Sequence, residues 1–101
     1  MIKRIMVTQR DIDHQECPLT AAINRKLKAG YSAGIGVTGI MIFLDEVEVG
    51  LPIPLPPEAH RFWHEDMRGM GTKLLPIRFD LDLPKSILLG VHGNAKDGSD
   101  E

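Results

Sequence analysis

Residues 57–69 read PEAHRFWHEDMRG, and they hold the only tryptophan and two of the four histidines of the chain. Ala59, Phe62, Trp63, Met67 and, one turn on, Met70 recur at helical spacing, while Arg61, Glu65 and Arg68 fall on the opposite side. That pattern predicts an amphipathic helix with Trp63 in the core. Pro56 and Pro57 suit its first turn, where a missing N–H costs nothing, and Gly69 and Gly71 suit its end, where left-handed backbone favours glycine. Alternating runs lie on both sides, so the helix is expected to pack across a sheet built from its own flanks.

On the C-terminal side, Leu75, Ile77, Phe79, Leu81 and Leu83 alternate with Pro76, Arg78, Asp80, Asp82 and Pro84, the strongest strand signal in the chain. On the N-terminal side, Asp45-Glu46 makes a turn, and Val47, Val49, Leu51, Ile53 and Leu55 then alternate with polar residues, glycine and proline. Pro52, Pro54 and Pro56 remove N–H donors from one edge, so this is an edge strand that pairs on one side only or, in its second half, an extended polyproline-like segment. Before it, Ile40 to Leu44 is continuously apolar and follows Gly34, Gly36 and Gly39, which read as bulges or points of close backbone approach.

The first third supplies one strand and one helix. Ile2 to Thr8 reads as a strand, and Gln9 to Glu16 as a polar connection in which Asp11 and Asp13 bond their own backbone. Pro18 opens a helix with Leu19, Ala22, Ile23 and Leu27 on its apolar stripe, Lys26 along the edge of that stripe and Gly30 as its stop. The predicted order is β-α-β-β-α-β, that of a ferredoxin-like or related two-layer α+β sandwich, in a single domain over residues 1–92. Residues 86–91 add Ile87, Leu88 and Leu89 as a short strand or apolar flap, and residues 93–101, GNAKDGSDE, are expected to form a disordered tail.

Composition narrows the function classes. A net charge of −2 and a sequence pI near 6.1 give no electrostatic case for nucleic acid or an anionic membrane. Lys3, Arg4, Arg10, Arg25, Lys26 and Lys28 are enough for a local basic patch, but Phe43 and Phe79 lack the motif context of an RNA-reading sheet. The single cysteine, Cys17, excludes an intrachain disulfide and fits a reducing compartment. With an opening that does not read as a signal peptide and no run long enough to span a bilayer, the expected location is the cytoplasm.

The segments Val7-Thr8-Gln9, Asp11-Ile12-Asp13 and Cys17-Pro18-Leu19, with Ala22-Ile23 and Arg25, resemble a group of short uncharacterised bacteriophage and prophage proteins. Those proteins open with a strand, a V-T-Q-x-D-I-D segment and a helix introduced by Cys-Pro, and many end in an F-x-L-x strand such as Phe79 to Leu83. The resemblance covers about the first thirty residues well and the remainder loosely. It implies a phage or mobile-element source and a small α+β domain, and it carries no catalytic residue across.

Few residues could carry chemistry. His60 and His64 stand at i, i+4, a spacing that can chelate a metal, and His14 with Cys17 could complete a four-ligand set if two helix starts converged. A closed zinc site needs all four, so His60 and His64 read as boundary histidines and no metal or cofactor is assigned. Cys17 at a helix start has the position of an activated thiol, with His14 as a base, yet lacks an orienting group; it reads as packed beneath Pro18. Asp11, Asp13 and Glu16 read as a solvated acidic turn rather than a calcium loop. The literal G-x-G-x-x-G of residues 34–39 continues into a strand instead of opening a helix, which argues against a dinucleotide site.

The sequence therefore points to a non-catalytic interaction protein that binds a host complex such as a defence system, as an inhibitor or an adapter. The alternatives are a metal-dependent or thiol enzyme using His14, Cys17, His60 and His64, and a nucleic-acid-binding accessory protein. Ile40 to Leu44 and Ile87 to Leu89 hold more consecutive apolar residues than one core face takes. Ile40, Ile42, Leu44, Ile87, Leu88 and Leu89 are accordingly the expected partner-binding residues, with a homodimer as the simplest way of covering them.

Overall fold

A computed structural model describes residues 1–68 and 74–89. The helix stop at Gly69 and Gly71, the Met70 position and the tail from residue 93 lie outside them. The described part is a small α+β unit of five strands in two sheets and three α-helices, with one hydrophobic core.

Strand β1 (Ile2–Val7) is the expected first strand, burying Ile5 and Val7 while Arg4 and Met6 face out. The polar stretch after it is not a connection but helix α1 (Gln9–His14). Thr8 caps it: its hydroxyl accepts from the Asp11 N–H at 3.1 Å, and the Asp11 carboxylate accepts from the Thr8 N–H at 2.9 Å. This reciprocal pair satisfies two N–H groups that would otherwise lack partners at the helix start.

Helix α2 (Pro18–Asn24) begins at Pro18 as expected and buries Pro18, Leu19, Ala22 and Ile23. It stops before Leu27, much earlier than Gly30. The reason is local: the Asn24 carboxamide oxygen accepts the Ala33 N–H at 2.8 Å, and Lys26 and Leu27 turn tightly onto the carbonyls of Ile23 and Asn24. Leu27 then pairs as a short bridge with Leu88, flanked by Lys28 N–H to Ile87 O and Leu89 N–H to Lys26 O, both 2.9 Å. Gly30, at φ +90°, belongs to the turn that follows.

Residues 31–53 form a meander. Strand β2 (Tyr31–Gly36) and strand β3 (Gly39–Leu44) are joined through Val37 and Thr38, so Gly36 and Gly39 flank a hairpin turn and Gly34, within β2, pairs with Met41, in place of bulges in one strand. Gly39 has φ +125°, and a Cβ there would stand 2.4 Å from the Ile53 carbonyl oxygen, the close backbone approach the sequence indicated. Asp45 and Glu46, at φ 51° and 73°, make the second turn, as expected, with both residues in the left-handed region. Strand β4 (Val47–Ile53) follows. Between the pairs Ile42↔Val49 and Ile40↔Ile53 the register slips, leaving Gly50, Leu51 and Pro52 beside Met41. The slip breaks the predicted alternation and leaves Leu51 87% exposed.

Helix α3 (Pro57–Arg68) opens at its proline and buries Ala59 and Phe62. Trp63 is half-buried rather than central, and Met67 is exposed; the inward stripe continues instead to Asp66, whose carboxyl is pushed up by burial. Strand β5 (Ile77–Asp82) alternates strictly, with Phe79 and Leu81 inward, Leu83 following them into the core, and Arg78, Asp80 and Asp82 out. Leu75, expected in this strand, lies before it and is exposed. Lys85–Ile87 form a single 3₁₀ turn that delivers Ile87 and Leu88 to the core.

The strands do not form the single sheet of a ferredoxin-like sandwich, nor is the order β-α-β-β-α-β. The order is β-α-α-β-β-β-α-β, with β1 antiparallel to β5 in one sheet and β2-β3-β4 in the other. Hydrogen bonding along the edges accounts for the division. The outer edge of β2 gives its Ala33 N–H to Asn24 and its Tyr31 N–H to Lys28 O, β4 has lost a donor to Pro52, and the Met6 carbonyl of β1 is occupied by Arg25.

The apolar surplus of the sequence is covered within the chain, which corrects the expected contact residues. Ile40, Ile42, Ile87 and Leu88 are buried and Leu44 is half-buried; only Leu89, at 55%, is exposed. On the other face of β3, Phe43 and Met41 lie across Gly34 and Gly36, where added Cβ atoms would meet them at 3.2 and 3.3 Å. Glycines in one strand thus make room for the large side chains of the next.

Candidate functional site at the turn between β2 and β3

Proline 57 sets the start of α3, and the i, i+4 spacing places His60 and His64 side by side on its exposed face. Their ring centroids are 5.8 Å apart with 33° between the planes. His60 also meets Trp63 edge to face, at 6.3 Å and 63°. The two imidazoles form a ridge between two clefts. One, of about 380 Å³, is lined by Val37 and Thr38 of the turn, Leu55, His60, Trp63 and His64. The other, of about 550 Å³, runs along Leu55, Pro57, His60, Arg61, His64 and Glu65.

The remaining sequence candidates do not assemble around this ridge. His14 is exposed at the end of α1, Cys17 is half-buried ahead of α2, and among the described residues no three His, Cys, Asp or Glu side chains converge as a closed metal site would require. Asp11 is neither solvated nor free to hold a cation, because Arg25 engages both of its oxygens, at 2.7 and 2.8 Å. The guanidinium holds the Asp11 carboxyl down at about 2, against the opposing effect of burial and with help from the Thr8 N–H. Asp13 accepts from the Gln9 amide at 2.9 Å. The basic patch loses Arg25 to this pairing, and Arg4 lies 3.8 Å from Asp80. Residues 34–39 form a hairpin, which presents no helix N-terminus to a pyrophosphate.

Thr8, Asp11, Pro18 and Arg25 are thereby structural: they cap α1, start α2 and tie both to β1. Val37 and Thr38 are the residues that sequence reasoning missed. The signal was present as two non-glycine residues between Gly36 and Gly39, the length of the commonest hairpin turn. Among the described helices none is long and apolar enough to cross a membrane. Comparison with protein-family models, curated proteins and solved structures finds no match.

Proposed function

We propose that this chain is a small non-catalytic interaction protein of the cytoplasm, encoded by a phage or mobile element, that binds a host macromolecular complex such as a defence system, as an inhibitor or an adapter. The observation that supports this reading is the cleft at the β2–β3 turn, where Val37, 95% exposed, lines the same wall system as the half-buried Trp63. An apolar residue held out on a two-residue turn, beside a tryptophan with one face free, has the makings of an interface anchor. Tryptophan is enriched where interfaces are fully desolvated, and a short turn loses little freedom on docking. This surface takes the place of Ile40, Ile42, Ile87 and Leu88 as the expected contact region. A homodimer, the assembly expected from the sequence, would likewise have to use exposed residues such as Val37, Leu51 or Leu89.

Capture from a lysate of the native host tests the reading when wild type is run beside Val37→Asp. Retention of one defined complex by the wild type, and its loss from a Val37→Asp protein with unchanged melting temperature, is the expected result. A complex retained equally by both proteins would remove the β2–β3 turn from the interface.

A further inference from the structure

We propose that His60 and His64 form an open two-imidazole chelate for a borderline divalent transition ion of the Cu²⁺, Ni²⁺ and Zn²⁺ class. The site goes beyond the binding reading and stands whether or not the cleft docks a protein. Both rings are exposed on one face of α3, and no hydrogen bond or ion pair to another described residue engages either of them. A tetrahedral ion about 2 Å from each of two imidazole nitrogens brings their ring centroids to roughly 5 Å. The observed 5.8 Å is within reach by small rotations of two solvent-facing side chains, which exchange rotamers freely.

The donor set fixes the class of ion. Two neutral imidazoles suit Cu²⁺, Ni²⁺ and Zn²⁺, with Cu²⁺ the strongest by the usual order of divalent affinities, whereas Mg²⁺ and Ca²⁺ require oxygen donors. No third His, Cys, Asp or Glu among the described residues joins the pair as a ligand group, so water fills the remaining positions and the site is of the open kind, not the closed four-ligand kind. The ridge position puts the ion at the mouths of both clefts.

The same geometry supplies the measurement. Trp63 is the only tryptophan and its ring meets His60 at 6.3 Å, so Cu²⁺ held by the pair quenches its emission. Tag-free protein titrated with Cu²⁺ is expected to show saturable quenching at one equivalent, reversed by excess Zn²⁺, which displaces the ion without quenching. Replacing one imidazole in His64→Ala or His64→Gln removes the chelate and is expected to shift the midpoint about tenfold or more, because the second donor no longer binds at high effective concentration. His14→Ala, at an exposed histidine on another helix, is expected to leave the midpoint unchanged. Quenching that never saturates, or that has the same midpoint in both folded His64 variants as in the wild type, overturns the proposal.

Discussion

Arg25 grips Asp11 with both arms of its guanidinium, Nη1 to Oδ1 at 2.7 Å and Nη2 to Oδ2 at 2.8 Å, and its Nη2 also reaches the Met6 carbonyl at 3.0 Å. One side chain from the end of α2 thus fixes α1 and β1 together. The Asp11 side chain is 5% exposed and that of Arg25 50%, so the pair is buried on one side and screened on the other. The Asp11 carboxylate also closes the α1 capping box by accepting the Thr8 N–H.

The clamp makes stability depend on pH in the acid range. The Asp11 carboxyl is lowered from 3.8 to about 2, chiefly by its hydrogen bonds to Arg25. A carboxyl depressed by folding contributes stability that is fully present above its unfolded value and is lost as pH falls through its folded value. The loss therefore falls between about pH 4 and pH 2 and is on the order of 1–2 kcal/mol, after allowing for the half-exposed guanidinium. Asp11→Asn should flatten the stability profile over that interval in urea titrations at several pH values. A profile as steep as that of the wild type would assign the effect to other carboxylates.

Two glycines at positive φ separate crowding from backbone strain. A Cβ at Gly39 meets the Ile53 carbonyl oxygen at 2.4 Å, whereas one at Gly50, φ +74°, meets nothing within 4 Å. Gly50→Ala should cost only the left-handed penalty of about 1–2 kcal/mol, and Gly39→Ala distinctly more, about 3 kcal/mol or above, because β3 and β4 must move apart. Equal losses in thermal or chemical unfolding would mean that the β3–β4 contact relaxes freely.

What was legible in the sequence is what local chemistry alone determines. Pro18 and Pro57 marked two helix starts, Asp45-Glu46 marked a turn, and the alternation around Phe79 and Leu81 marked β5 with the correct face inward. Helix α1 escaped because Thr8 reads as the end of the first strand and Asp11 as a turn former in the next segment; their three-residue spacing, which spans the two, is the capping signal. The division into two sheets escaped for a different reason. It depends on Asn24 reaching Ala33 and Arg25 reaching Met6, contacts between residues 9 and 19 positions apart that no periodicity encodes. The site was half legible: the His60–His64 spacing is local, whereas the placement of Val37 beside Trp63 follows from tertiary packing.

The α3 helix offers a direct comparison of its two neighbouring aromatics. Phe62 is 4% exposed, and Phe62→Ala should cost about 3–5 kcal/mol. Trp63 is half-buried with one side open to the cleft, so Trp63→Ala should cost less, about 1–2 kcal/mol, in proportion to the area it hides. Denaturant titrations of both variants measure this directly. A Trp63→Ala loss as large as that of Phe62→Ala would return the tryptophan to the core and remove it from the proposed contact surface.

The closing segment gives the sharpest test of whether apolar residues serve the fold or a partner. Leu88 is 0% exposed and is pinned by the flanking bonds Lys28 N–H to Ile87 O and Leu89 N–H to Lys26 O, while its neighbour Leu89 points outward. Burial of this kind is worth about 2–5 kcal/mol when a leucine is cut to alanine, because the lost contacts and the cavity add. Leu88→Ala should therefore lower the unfolding midpoint strongly, and Leu89→Asp should leave it almost unchanged. Sedimentation over a concentration series completes the test, since a dimer sealed by this segment would dissociate in Leu88→Ala without loss of protomer stability. A stable, dissociated Leu88→Ala protomer would show that the segment covers a second chain; a destabilised protein whose wild-type parent sediments as a monomer would show that it covers its own core.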